Sequence, residues 1–181
     1  MTPTKQTQAG APDDAETFFK TSVARSRRTG LLDGLSILVR DMGSLINASL
    51  SFVAVRDVST FDTVWGIASW RQGKERTKWS YSLKGNPCLL PYKQGFTFLP
   101  CDVAEQFEGK RKSDYQSFVG FPLQTSVGFT YGHIALYSKV RLEEGSIDQI
   151  PLENFHAEIE KICNANRTEL MAEVISAKTE T

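Results

Sequence analysis

The sequence predicts an α/β (α+β) sandwich built on a central antiparallel sheet, with a long helix before the sheet and another after it. Three observations predict it. Between Leu31 and Ile46, the residues Leu31, Leu32, Leu35, Leu38, Val39, Met42, Leu45 and Ile46 recur at helical spacing and trace one face. From Leu50 the pattern changes to short runs rich in β-branched and aromatic residues. After Pro151, Leu152, Phe155, Ile159, Ile162, Leu170 and Val174 restore a broken helical stripe. A length of 181 residues suits one domain with terminal extensions.

Residues 1–13 are polar, contain Pro, Gly and Gln, and are expected to be a disordered tail. The domain itself is expected over 14–178. A short helix from Asp14 to about Arg28 places Phe18, Phe19 and Val23 on one side. In the first long helix Gly34 and Gly43 each cost roughly 1 kcal/mol of helix propensity, so packing must hold it. Strands follow at 50–58, 63–73 and 76–83, the last two joined by a hairpin at Gly73-Lys74-Glu75. In the third, Lys78, Ser80 and Ser82 alternate with Trp79, Tyr81 and Leu83, which leaves one face wet.

An irregular crossover comes next. "CLLPYKQG" reads as a helical turn or loop, "FTFLP" as a short strand, and "CDVAEQF" as a short helix with Asp102 near its start. Lys110-Arg111-Lys112 reads as a solvated loop. "YQSFVGFPL" and "TYGHIALYSK" form a hairpin in which Gly128 supplies a positive φ. Pro122 lacks a backbone donor and must sit at a strand end or an edge. Pro151 opens a single long closing helix, with His156 facing solvent.

Composition narrows the function. Lys+Arg and Asp+Glu are 21 each, so no basic excess points to nucleic acid, and a neutral chain is poorly protected against self-association. No apolar run is long enough to span a membrane, and the N-terminus has no signal-type apolar core. Cys88, Cys101 and Cys163 are too few for a disulfide framework, which predicts a reducing, cytoplasmic setting. A phosphate loop, HExxH, CxxC and an EF-hand loop are all missing, so no enzymatic activity, metal or cofactor is expected. Cys88 reads as a small buried thiol rather than a redox or anchoring one. His133 reads as a hydrogen-bonded strand residue rather than a haem ligand.

Pro87 and Cys88, Phe107, the run Val119, Gly120, Pro122 and Leu123, then Gly128, Gly132 and His133 carry a resemblance to the GAF domain family over roughly residues 30 to 175. Phe121 stands where a smaller apolar residue is common, and Tyr115 lies further upstream than usual. The resemblance implies terminal helices on one face of the sheet and the crossover on the other, with a pocket between sheet and crossover. It implies a ligand site drawn from Trp70, Trp79, Cys88, Tyr92, Phe107, Tyr115, Ser117 and Val119, with Trp65, Phe96 and Phe98 nearby. Independently, the segment 88–114 is long and irregular, and its apolar residues cannot all face water, so it must fold back over the sheet.

The expected function is therefore a sensory or regulatory module that binds a small molecule and signals through a partner or a dimer. The alternatives are an interaction module whose cavity is filled by its own aromatics, and a cysteine-based methionine sulfoxide reductase. Residues around the cysteines do not match that enzyme group. Covalent bilin attachment fails, because Cys88, Cys101 and Cys163 are followed by Leu, Asp and Asn rather than His. The signature of cyclic-nucleotide GAF domains is not evident. A homodimer is expected through the first helix, whose stripe is wider than one sheet contact needs, and through Leu170 and Val174 of the closing helix.

Overall fold

The computed structural model describes residues 15–71, 74–75 and 78–179; the expected tail at 1–13 and Gly73 of the expected hairpin lie outside the described residues. Two helices, α1 (Ala15–Ser26) and α2 (Leu31–Ser44), lead into β1 (Leu50–Arg56), β2 (Thr63–Arg71), β3 (Lys74–Glu75) and β4 (Trp79–Ser82). The crossover holds α3 (Leu90–Gln94), β5 (Thr97–Leu99) and α4 (Val103–Gln106), with tight helical turns at Pro87–Leu89 and Glu108–Lys110. Then come β6 (Ser117–Gln124), β7 (Thr130–Ser138), α5 (Gln149–Ala165) and α6 (Arg167–Thr179).

The strand order is β3–β2–β1–β7–β6–β5, with β4 also on β2, and every pairing is antiparallel. Period-two alternation divides the core into two layers. Val53, Val55, Val119, Phe121, Leu123 and Leu136 face the helices. Phe52, Ala54, Phe118, Ala135 and Tyr137 face the crossover. The β5 pairing ends opposite Gly120, so Pro122 occupies an edge position, as its missing N–H requires. Gly128 turns the β6–β7 hairpin at φ 81.

The α2 stripe is buried within the chain. Leu35, Leu38, Val39 and Met42 have no exposed surface. Each contributes on the order of 2 kcal/mol by burial, which outweighs the two glycines. A Cβ on Gly34 would lie 2.8 Å from the Ser26 carbonyl oxygen, so this glycine admits the end of α1. The stripe is wide because α1 and α5 flank α2 as well as the sheet beneath it. Asp41 ties the layer together: it accepts from Ser22 Oγ at 2.7 Å, from Arg40 Nε at 3.0 Å, and from Arg25.

Two expectations about the closing helix are corrected. It is broken at Asn166 (φ −114, ψ 22), whose side-chain amide donates to the Ile162 carbonyl at 2.8 Å. The break lets α6 pack on β1 and β2, so Leu170 and Val174 are buried in this chain's own core. Leu170 and Val174, which the sequence assigns to a dimer surface, are thus packed internally. His156 is half-buried rather than solvent-facing. Its Nε2 donates to the Pro122 carbonyl at 2.8 Å, and its ring stacks on Phe121 with centroids 4.9 Å apart.

Close backbone approach makes a testable demand. A Cβ on Gly132 would sit 2.5 Å from the backbone oxygen of Ala54 on the paired strand, where nothing can yield cheaply. A Cβ on Gly66 would sit 2.5 Å from the Trp79 ring, which can move. Gly132→Ala is expected to cost about 3 kcal/mol and Gly66→Ala about 1 kcal/mol in urea unfolding. Equal costs would contradict the difference in what each Cβ meets.

Candidate functional site

The site is built on the crossover side. Phe52 of β1 is its hub, with ring centroids 5.4 Å from Trp79, 5.9 Å from Tyr81, 5.9 Å from His133 and 6.2 Å from Tyr137. Beneath α3 the space is filled. His133 is fully buried, with Nε2 2.8 Å from the Tyr81 hydroxyl and Nδ1 3.0 Å from the Tyr92 hydroxyl. In the neutral ring one nitrogen donates to a tyrosine oxygen and the other accepts a tyrosine O–H. Burial, reinforced by the Lys110 charge, lowers the His133 pKa to about 3. Cys88 Sγ lies 3.1 Å from the Tyr137 hydroxyl, and burial pushes its pKa up.

Beside this packed region a cavity of about 330 Å³ remains open. Leu50, Phe52 and Arg71 line it from the sheet, Trp79 and Tyr81 from β4, and Asn86, Gly109, Lys110, Lys112, Ser113 and Tyr115 from the crossover. Lys110 is turned inward, with Nζ 4.6 Å from the centroid of the Tyr137 ring. Burial lowers its pKa, and Arg71 adds a smaller push in the same direction. The expectation of a solvated Lys-Arg-Lys loop is corrected at Lys110. A helical turn donates the Lys110 N–H to the Phe107 carbonyl at 2.8 Å and brings the side chain over the sheet.

Of the eight residues expected at the pocket, Trp79 and Tyr115 line the cavity. Cys88, Tyr92 and Phe107 belong to the adjoining crossover-side core. Three fall on the other face and are corrected. Val119 packs in the helix-side core, and Ser117, two residues earlier on β6, shares its face and donates to the Val140 carbonyl at 2.8 Å. Trp70 pairs with Ser51, whose side chain lies against Gly43 of α2. Trp65 and Phe98 also pack on the helix side, and Phe96 lies 4.9 Å from Phe121. Among the lining residues, the sequence reading missed Phe52, Arg71, Tyr81, Asn86, Lys110 and Lys112. Only the position of Lys110, one turn after the apolar Phe107, hinted at an inward cation.

Comparison with known proteins identifies the fold. No family model matches the chain, and no curated protein matches it in sequence. Solved structures do. The GAF domain of an Acinetobacter phosphoenolpyruvate-protein phosphotransferase superposes with a TM-score of 0.66 at 16% identity, covering 85% of this chain and 95% of that one. The chromophore-binding domain of a bacteriophytochrome from R. palustris gives 0.64 at 9% identity, covering 86% of this chain and 60% of that one. The free methionine-R-sulfoxide reductase from Neisseria meningitidis, solved with its substrate, gives 0.61 at 12% identity, covering 95% and 96%. The chain has the GAF-domain fold. Among the described residues, no helix is long and apolar enough to cross a membrane.

Proposed function

We propose that this chain is a sensory or regulatory GAF-fold domain that binds a small molecule non-covalently in the cavity beside Trp79 and Tyr115. The observation that carries this reading is the cavity itself: about 330 Å³, walled by aromatic rings and a few polar groups, between the sheet and an irregular crossover. The same fold holds small molecules in two of the compared proteins, one named a chromophore-binding domain and the other a reductase with its substrate. Binding rather than catalysis is favoured by the thiols. Cys88 is held up by burial, and Cys163 is pushed up to about 12 by burial and Glu160. Cys101 is raised by its hydrogen bond to Asp102. All three favour the protonated form at neutral pH, which is neither nucleophile nor anchor. Three free thiols also suit a reducing cytoplasm.

Signalling has a physical route. Leu50 and Phe52 of β1 form the cavity wall, while the alternate residues Ser51 and Val53 face the helical layer. A ligand that shifts β1 shifts the helical layer, where a protein partner would read it. The rival reading, an interaction module with a filled interior, draws on the Tyr81–His133–Tyr92 packing beneath α3. Native mass spectrometry of the chain purified from its own cells separates the two. The proposal expects an added small-molecule mass that disappears after refolding from urea; the bare polypeptide mass in every preparation would favour the rival.

A further inference from the structure

We propose that the ligand of this cavity is a small organic anion, a carboxylate or phosphate on a flat apolar body that also carries a hydrogen-bond donor. This rests on the reading of the cavity as a binding site and specifies its ligand class. The first observation is charge. Arg71, Lys110 and Lys112 line the cavity, and no Asp or Glu does. Among the described residues none of these three cations forms an ion pair with a carboxylate. Asp114 lies near Arg71, but its carboxylate is engaged by Lys139 at 2.7 Å. A partly buried ammonium with only an aromatic face beside it is costly, and an anion in the cavity offsets that cost.

The second observation is an orphaned acceptor. Asn86 donates through Nδ2 to the Ser82 carbonyl at 2.8 Å, while its Oδ1 is buried with no hydrogen-bond partner. A buried amide oxygen without a donor is expensive; Asn86 lines the cavity, and a small shift of its side chain would bring this acceptor to a ligand N–H or O–H. The third is shape. Phe52, Trp79, Tyr81 and Tyr115 supply ring surfaces around the remaining space, which suits a flat body. The cations fix the acidic end, Asn86 fixes the donor, and the rings take the rest.

The test uses the full chain, refolded from urea to empty the cavity, and three probes: 4-hydroxyphenyl phosphate, 4-hydroxyphenylacetate and the neutral 4-hydroxyphenylacetamide. Binding is followed by amide shifts in 15N-labelled protein. Both anions are expected to shift the signals of Asn86, Gly109, Lys110 and Ser113 and to bind about tenfold more tightly than the amide. Lys110→Met should remove most of that preference, and Lys112→Gln, at an exposed position, should remove part of it with no effect on folding. If the amide binds at these residues as tightly as the anions, the ligand class is wrong and the binding-site reading stands. If no probe shifts these signals at millimolar concentration, both are overturned. If the anions bind but both variants bind them as wild type does, the assignment of the cations is overturned.

Discussion

Between pH 6.5 and pH 4 the domain loses on the order of 3 kcal/mol of stability, and His133→Gln removes most of that loss. The folded state holds a buried neutral imidazole with its pKa lowered to about 3, first by burial and then by the nearby Lys110 charge. The unfolded ring titrates at its ordinary value of 6.5. The unfolded chain therefore binds the extra proton first as pH falls. The contribution is complete above about pH 6.5 and declines as pH drops toward 3. Asp57 works in a lower window, since its folded pKa of about 2 matters only below its ordinary 3.8. Gln at 133 can still offer one donor and one acceptor to Tyr81 and Tyr92, so the variant should fold. Urea midpoints at pH 7, 5.5 and 4.5 give the slope for both proteins. An equal slope in both would mean that His133 is not the group that titrates.

Lys178→Met is expected to cost about 3 kcal/mol, a large loss for one side chain near the end of the described chain. Asp57 is only 3% exposed, and its carboxylate lies 2.7 and 2.6 Å from Lys178 Nζ. Burial alone would raise the Asp57 pKa; the Lys178 ammonium and the hydrogen bonds from Ser59 overcome it and hold it at about 2. Without Lys178, only the Ser59 backbone N–H and hydroxyl, at 2.8 and 2.7 Å, remain to satisfy a buried anion. Asp57→Asn should cost less, about 1 kcal/mol, because the stranded lysine can reach water. The double variant should then cost less than the sum of the two. Amide exchange across α6 should quicken in Lys178→Met. A change below about 0.5 kcal/mol would place this pair with ordinary surface ion pairs.

The fold was legible because its parts are periodic. The α2 stripe, the short apolar β6 and β7 runs, the edge position of Pro122 and the turn at Gly128 all follow from spacing or from single-residue backbone constraints. The break at Asn166 was not legible. Leu152 to Val174 reads as one broken stripe whether the helix runs straight or folds back, and no Gly or Pro marks the corner.

The site was half legible for a related reason. Period two tells which strand residues share a face, but not which layer covers that face. A register shift at Val53/Ala54 also changes the phase of β2, so Trp65 and Trp70, five apart, lie on the helix side together. Ser117 and Val119 followed the same wrong face. Lys110 was hidden because a Lys-Arg-Lys run looks the same in a wet loop and in a cavity wall.

A crystal structure of the chain purified from its own cells, without refolding, tests the central claim most directly. The account predicts connected, non-protein density between Trp79 and Tyr115, in contact with Lys110 and within hydrogen-bond reach of Asn86 Oδ1. It also predicts that the Tyr81–His133–Tyr92 contacts stay closed beside it. Trp79 or Tyr115 folded inward, with the cavity filled by protein side chains, would contradict the account and establish this domain as an interaction module.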